Sequence, residues 1–166
     1  MHKSLSYIDP QARLAKNVVV EPFVTIEKNV EIGSGTWIGS NVTIMEGARI
    51  GENCEIFPGA VISAIPQDLK FDGEDSLAII GNNTIIRECA TINRATTATG
   101  KTIVGKNCLI MAYAHIAHDC VIGNNAIIVN NVALGGHVEI GEYAIIGGLT
   151  AVHQFIKIGK HCMVSG

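Results

Sequence analysis

The chain has 166 residues and a formal net charge of −3, with no run of Lys or Arg, so the electrostatic footprint of a nucleic-acid binder is missing. Apolar residues make up 48% but aromatics only 5%, and Gly contributes 18 positions, which favours a β-structured core lined by Ile, Val and small side chains. No window approaches ~18 consecutive apolar residues, and the N-terminal MHKSLSYIDPQ lacks an apolar stretch of signal-peptide length. The expectation is one cytoplasmic domain over residues 1–166, with no transmembrane segment.

From Ile8 onward an aliphatic residue returns every six positions, through Leu14, Val20 and Ile26 to Ile62, then at Ile80, Ile86 and Ile92, and from Val104 to Val164. Only Asp68, Glu74 and Ala98 break the step. Two residues before each aliphatic stands a small or β-branched one, such as Val24, Val42, Ala60 or Ala126. Two inward positions separated by one residue predict short strands. The Gly, Asn and Asp that follow, as in IGSG, IGEN and VGKN, predict corners. Strands and corners repeated at this period describe a solenoid whose stacked coils bury one another's apolar interior.

The repeat also accounts for the cysteines. Five is an odd number with no CxxC pair, which argues against a disulfide framework and a thiolate zinc site. Cys54, Cys108, Cys120 and Cys162 occupy the small inward slot and read as core; Cys89 falls outside it and has no assigned role. Two segments leave the repeat and return, 63–79 (SAIPQDLKFDGEDSLAI) and about 94–102 (RATTATGKT). Loops on a rigid scaffold often carry function.

Beyond Val104 the repeat is unbroken, so residues one three-strand coil apart should stack if each coil holds three repeats. That alignment sets His137 over Asp119, Gly136 over His118, and His153, Gln154 and Phe155 above these. Two glycines in the middle coil clear side-chain bulk and leave a backbone N–H available to a ligand. His118 and Asp119 lie off the inward positions, so solenoid packing alone does not explain them. His115 precedes an inward Ile and should point outward, His161 fills a corner slot, and His2 sits near the terminus without a role. A His near neutral pKa can deprotonate a hydroxyl attacking an acyl carbon, while an amide N–H stabilises the oxyanion. No Ser or Cys in the patch offers a covalent nucleophile, which favours direct transfer.

The six-residue pattern resembles the hexapeptide-repeat family, and that resemblance implies a left-handed parallel β-helix, all-β, with three strands per coil. Some members of that family are zinc carbonic anhydrases with histidine ligands, so His115, His118, His137 and His153 remain open as a zinc set. IPQDLKF at 65–71, IRECATINRAT at 86–96, YAHIAHDC at 113–120, ALGGHVEIG at 133–141 and GGLTAVHQF at 147–155 are more specific. Together they resemble the acyl-carrier-protein-dependent UDP-N-acetylglucosamine 3-O-acyltransferases that open lipid A synthesis.

That resemblance implies His118 as general base on the sugar 3-hydroxyl, Asp119 as its orienting partner and Gly136 as the oxyanion N–H donor. It implies that His115, His137, His153 and Gln154 line the sugar and acyl site, with Gln67, Asp68 and Lys70 reaching in from the first loop. Gly166 matches the region that limits acyl-chain length, although Ser165 stands where the family pattern has a glycine. The resemblance further implies acyl carrier protein as donor, UDP-N-acetylglucosamine as acceptor, no cofactor, and a homotrimer with sites between subunits. Family members continue into further coils and a C-terminal helical region, which this chain is expected to lack. The competing expectations are a zinc hydratase and a non-catalytic β-helix that only assembles.

Overall fold

The computed structural model describes residues 5–166, so His2 lies outside the described residues. Short strands, most of two residues, form three parallel sheets of eight strands each, and successive strands pass from one sheet to the next. This is the left-handed parallel β-helix. The first sheet contains Thr91–Asn93, His115–Ile116, Ala133–Leu134 and Ala151–Val152, the second contains Lys101–Val104 and Val121–Ile122, and the third contains Ile85–Ile86 and Ile127–Ile128. In the first sheet His115 pairs with Ala133 and Ala133 with Ala151, which is the one-coil register the repeat predicts.

The inward aliphatics fill the interior: Ile26, Ile44, Ile62, Ile92, Ile116 and Ile128 are each 0% exposed. Hydroxyls that occupy inward slots are paired, as burial of a polar group requires. Thr36 Oγ1 donates to the Gly51 carbonyl (2.9 Å) and accepts from the Cys54 N–H (3.1 Å), and Thr84 makes the same two bonds to Gly105 and Cys108.

Corners turn on a residue at positive φ. Asn occupies this slot at 17, 29, 41, 53, 83, 107, 125 and 131, with φ between 52° and 60°, and Gly occupies it at 35, 47 and 59. Asn and Gly tolerate this conformation better than other residues. The slot also explains Cys89 (φ 55°), which is a corner residue rather than a core one. Of the cysteines assigned to the core, Cys54, Cys108 and Cys120 are buried, but Cys162 is exposed because it lies in the last coil.

Both excursions leave from the corner that joins the first sheet to the second. They are shorter than the sequence pattern suggests, because Val61–Ala64, Leu77–Ile80 and Lys101–Val104 continue the ladders and leave 65–76 and 94–100 as loops. The two loops pack on each other. Ser76 Oγ donates to the Ala95 carbonyl (2.5 Å), Asn93 Nδ2 to the Ile65 carbonyl (2.8 Å), and the Thr97 N–H to Glu74 (3.3 Å), while the Arg94 guanidinium lies 5.4 Å from the Phe71 ring centre.

Truncating an inward aliphatic leaves a cavity between coils. Ile128→Ala should lose about 3 kcal/mol in denaturant unfolding, whereas the outward Ile127→Ala should lose less than about 1.5 kcal/mol.

Candidate active site

The corner after His115–Ile116 places Ala117, His118 and Asp119 between the first and second sheets, with Asp119 in the left-handed slot at φ 61°. One coil above, His137 fills the same slot at φ 61°, and Phe155 follows at φ 64°. Their rings form a column. His118 meets His137 edge to face at 5.2 Å, and His137 stacks on Phe155 at 4.6 Å with an interplanar angle of 8°.

His118 Nδ1 lies 2.8 Å from Asp119 Oδ2. Asp119 is enclosed by the 94–100 loop: the Thr96 N–H (3.1 Å) and Oγ1 (2.7 Å) donate to Oδ2, and the Thr99 N–H (3.2 Å) and Oγ1 donate to Oδ1. The Asp119 N–H donates in turn to Thr102 Oγ1 (2.8 Å). Burial alone would raise the carboxyl's pKa, but hydrogen bonds from Thr99, His118 and Thr96 outweigh it and hold Asp119 below the usual carboxylate value. Asp119 is therefore an anion that only accepts, so Nδ1 of a neutral His118 carries the proton and Nε2 keeps a lone pair.

Gly136 gives the imidazole its space. A Cβ there would sit 2.5 Å from His118 Cε1 and 2.6 Å from Nε2. The backbone N–H at this corner position has no partner in the coil ladder; at some corners a side chain takes it, as Asn82 does for Glu52 and Asn124 for Lys106. Among the described residues nothing takes the N–H of Gly136.

His118 and Asp119 are more buried than their off-core positions suggest, at 6% and 3% exposed. The 94–100 loop and the coil above cover them, a tertiary effect that hexapeptide phasing does not register. His115 Nδ1 is 2.7 Å from Thr91 Oγ1, and burial, then the neighbouring His118, lowers its pKa. His137 Nε2 lies 3.8 Å from Asp119, whereas His153 and Gln154 are exposed on the next coil. Gln67 and Lys70 are exposed on the long loop; Asp68 accepts the Lys70 N–H there, and no hydrogen bond joins the three to the dyad of their own chain among the described residues. Gly166 packs on the backbone of Gly148, with no room for a side chain. His161 stacks on Tyr143 at 5.0 Å, away from the site. Thr91, Thr96, Thr99 and Thr102 are site residues that periodicity did not single out; Thr96, Thr99 and Thr102 lie in the Thr-rich second insertion, and Thr91 on the strand before it.

Of the four histidines open as a zinc set, His118 and His137 converge, together with Asp119, with donor atoms within 4.8 Å of one another, and among the described residues His115 and His153 do not join them. Both Asp119 oxygens already accept from the threonines and His118, so a zinc ion there would have to displace those donors. The nearby Cys120 thiol is pushed up to about 11 by burial and offers no thiolate nucleophile at neutral pH.

Three-sided coils built from six-residue steps define a hexapeptide-repeat protein. A family profile described as bacterial transferase hexapeptide (six repeats) matches residues 29–64 and 101–136, and the chain belongs to this family. It is similar to an acyl-[acyl-carrier-protein]–UDP-N-acetylglucosamine O-acyltransferase from Chlamydia caviae, 45% identical over 113 residues, or 68% of this chain and 40% of that protein. A protein of the same description from Chlorobaculum parvum is 56% identical over 61 residues, 37% of this chain and 23% of its own. The crystal structure of a UDP-N-acetylglucosamine acyltransferase from Bacteroides fragilis superimposes with a TM-score of 0.96 at 48% identity, covering 100% of this chain and 65% of that one. The chain thus spans less than two thirds of these relatives.

Two measurements test this geometry. Gly136→Ala should keep the β-helix circular dichroism but shift the His118 imidazole NMR signals, since the ring must move. Because folding lowers the Asp119 pKa, the stability it contributes is complete above about pH 4 and is lost as pH falls through the folded value. Asp119→Asn should therefore lower the urea midpoint more at about pH 7 than at about pH 3.

Proposed function

We propose that the chain carries the catalytic site of an acyltransferase that moves an (R)-3-hydroxyacyl group from acyl carrier protein to the 3-hydroxyl of UDP-N-acetylglucosamine, in lipid A synthesis. The observation that carries this reading is the His118–Asp119 dyad, with its imidazole against the unpartnered amide of Gly136. The activity for which the similar proteins are named supplies the donor and acceptor.

His118 Nε2 takes the proton from the sugar 3-hydroxyl as that oxygen attacks the thioester carbon. The carbonyl oxygen becomes an oxyanion and accepts the Gly136 N–H. Collapse of the tetrahedral species breaks the carbon–sulfur bond, and the departing thiolate recovers the proton from His118. Asp119 holds the imidazolium that exists between these two transfers. The engaged threonine hydroxyls and the protonated Cys120 favour direct transfer over an acyl-enzyme.

His115, His137, His153 and Gln154 line the corner around the dyad and are the residues for sugar and acyl contacts. Gln67 and Lys70, exposed on the long loop, and the half-buried Asp68 between them suit a site shared between neighbouring subunits of a homotrimer. An outward column of aliphatics on the third sheet, Ile85, Leu109, Ile127, Ile145 and Met163, supports lateral packing of that kind. Gly166, beside Gly148, belongs to the region that limits acyl length. Among the described residues no helix is long and apolar enough to cross a membrane, in keeping with a cytoplasmic enzyme.

A zinc hydratase is the second reading, because His118, Asp119 and His137 converge. Transfer assays separate the two. His118→Ala should reduce acyl transfer from acyl carrier protein to UDP-N-acetylglucosamine by ~10²–10⁴-fold while preserving the fold, and a chelator should leave the wild-type rate unchanged. No transfer, with carbon dioxide hydration that is lost to chelator and restored by zinc, would favour the hydratase.

A further inference from the structure

Thr91 and His115 are paired neighbours in the first sheet but stand 24 residues apart, six more than His115 and Ala133 in the next pair. The lengthened coil contains the 94–100 loop, and a β-helix needs no such loop to fold. The loop instead closes on itself around one carboxylate: the Gly100 N–H donates to the Thr96 carbonyl (2.9 Å), the Ala98 N–H donates to Thr96 Oγ1 (3.2 Å), and two amides and two hydroxyls converge on Asp119. The 65–76 loop supports it from behind through Ser76 and Glu74.

We propose that this loop is a positioning element, in which Thr96 and Thr99 clamp the Asp119 carboxylate so that Oδ2 faces His118 and accepts its Nδ1–H, leaving Nε2 as the base beside Gly136. The kinetic part rests on the acyl-transfer reading above, but the positioning does not. The two Thr99 donors saturate Oδ1, and the two Thr96 donors hold Oδ2 in the orientation in which it also meets His118 Nδ1. With the hydroxyls gone the carboxylate can rotate, and a neutral imidazole can present either nitrogen to it. A His base in the wrong tautomer cannot accept the substrate proton at Nε2. Thr96 and Thr99 touch no reacting atom, so they act through Asp119.

The test uses the 166-residue chain with Thr96→Val and Thr99→Val combined, the matching Ser pair, and each set repeated on an Asp119→Asn background. Asn is compatible with the left-handed slot, because it occupies that slot throughout the helix. Imidazole ¹⁵N shifts at about pH 8, where an ordinary His is neutral, report the His118 tautomer without any substrate. The Val pair should convert a single Nδ1–H form into a mixture, and the Ser pair should restore the single form. In the transfer assay the Val pair should lower kcat on the order of tenfold with the KM for UDP-N-acetylglucosamine within about twofold, and should change kcat by less than about twofold on the Asn background.

An unchanged tautomer in the Val pair, or an equal loss of kcat on both backgrounds, would overturn the proposal and make the loop a structural insertion. A tautomer change in a chain that transfers no acyl group would uphold the clamp and count against the acyl-transfer reading instead.

Discussion

Nearly every corner of the helix holds one residue at positive φ, and the rest of the molecule depends on that constraint. The repeated left-handed residue closes the triangle and brings the next strand into register with the one a coil below. It also selects side chains, since most residues are strained there while Asn, Gly and Asp are tolerated. Asp119 and His137 are at once corner residues and site residues. The dyad is thus built at a position the fold must occupy, with its backbone direction set by the geometry that shapes every other turn.

Such a corner would ordinarily leave an acidic side chain in water. Here two loops, leaving the same edge one above the other, turn a surface carboxylate into a buried one. Removing a charge from solvent is costly unless donors replace the water, and the loop supplies two amides and two hydroxyls to do so. The glycine above performs the complementary task. Lacking a side chain, Gly136 admits the imidazole against the helix and presents its amide beside it, an amide that side chains take at a few other corners. The anion below the ring and the donor beside it then bracket the space where a proton and an oxyanion would appear.

Much of this was legible in the sequence because a solenoid has one repeating register. Ile116 and Leu134 share one phase of the repeat, and that phase placed His137 over Asp119 and Gly136 over His118, as observed. The slot of His161 was also readable, and so was the coreward role of Cys54, Cys108 and Cys120. What escaped was whatever the repeat does not encode. Thr96 and Thr99 lie in a segment that has left the register, so no phase predicts which way their hydroxyls point, and the burial of His118 and Asp119 follows from that same segment. Cys89 escaped for a different reason: it sits in a slot that Asn and Gly usually fill, and a thiol there carries no compositional signal.

The register between coils has a consequence for how such a site can be inherited. The dyad, its glycine and the ring column belong to successive coils related by translation along the helix axis, and each coil contacts only the one above and the one below. Removing or adding a whole coil well below Thr91 would change the length of the molecule but leave those neighbours as they are. The site is therefore portable along its own axis, carried as a short stack of coils with one loop, and the number of coils beneath it can vary without redesign of the chemistry.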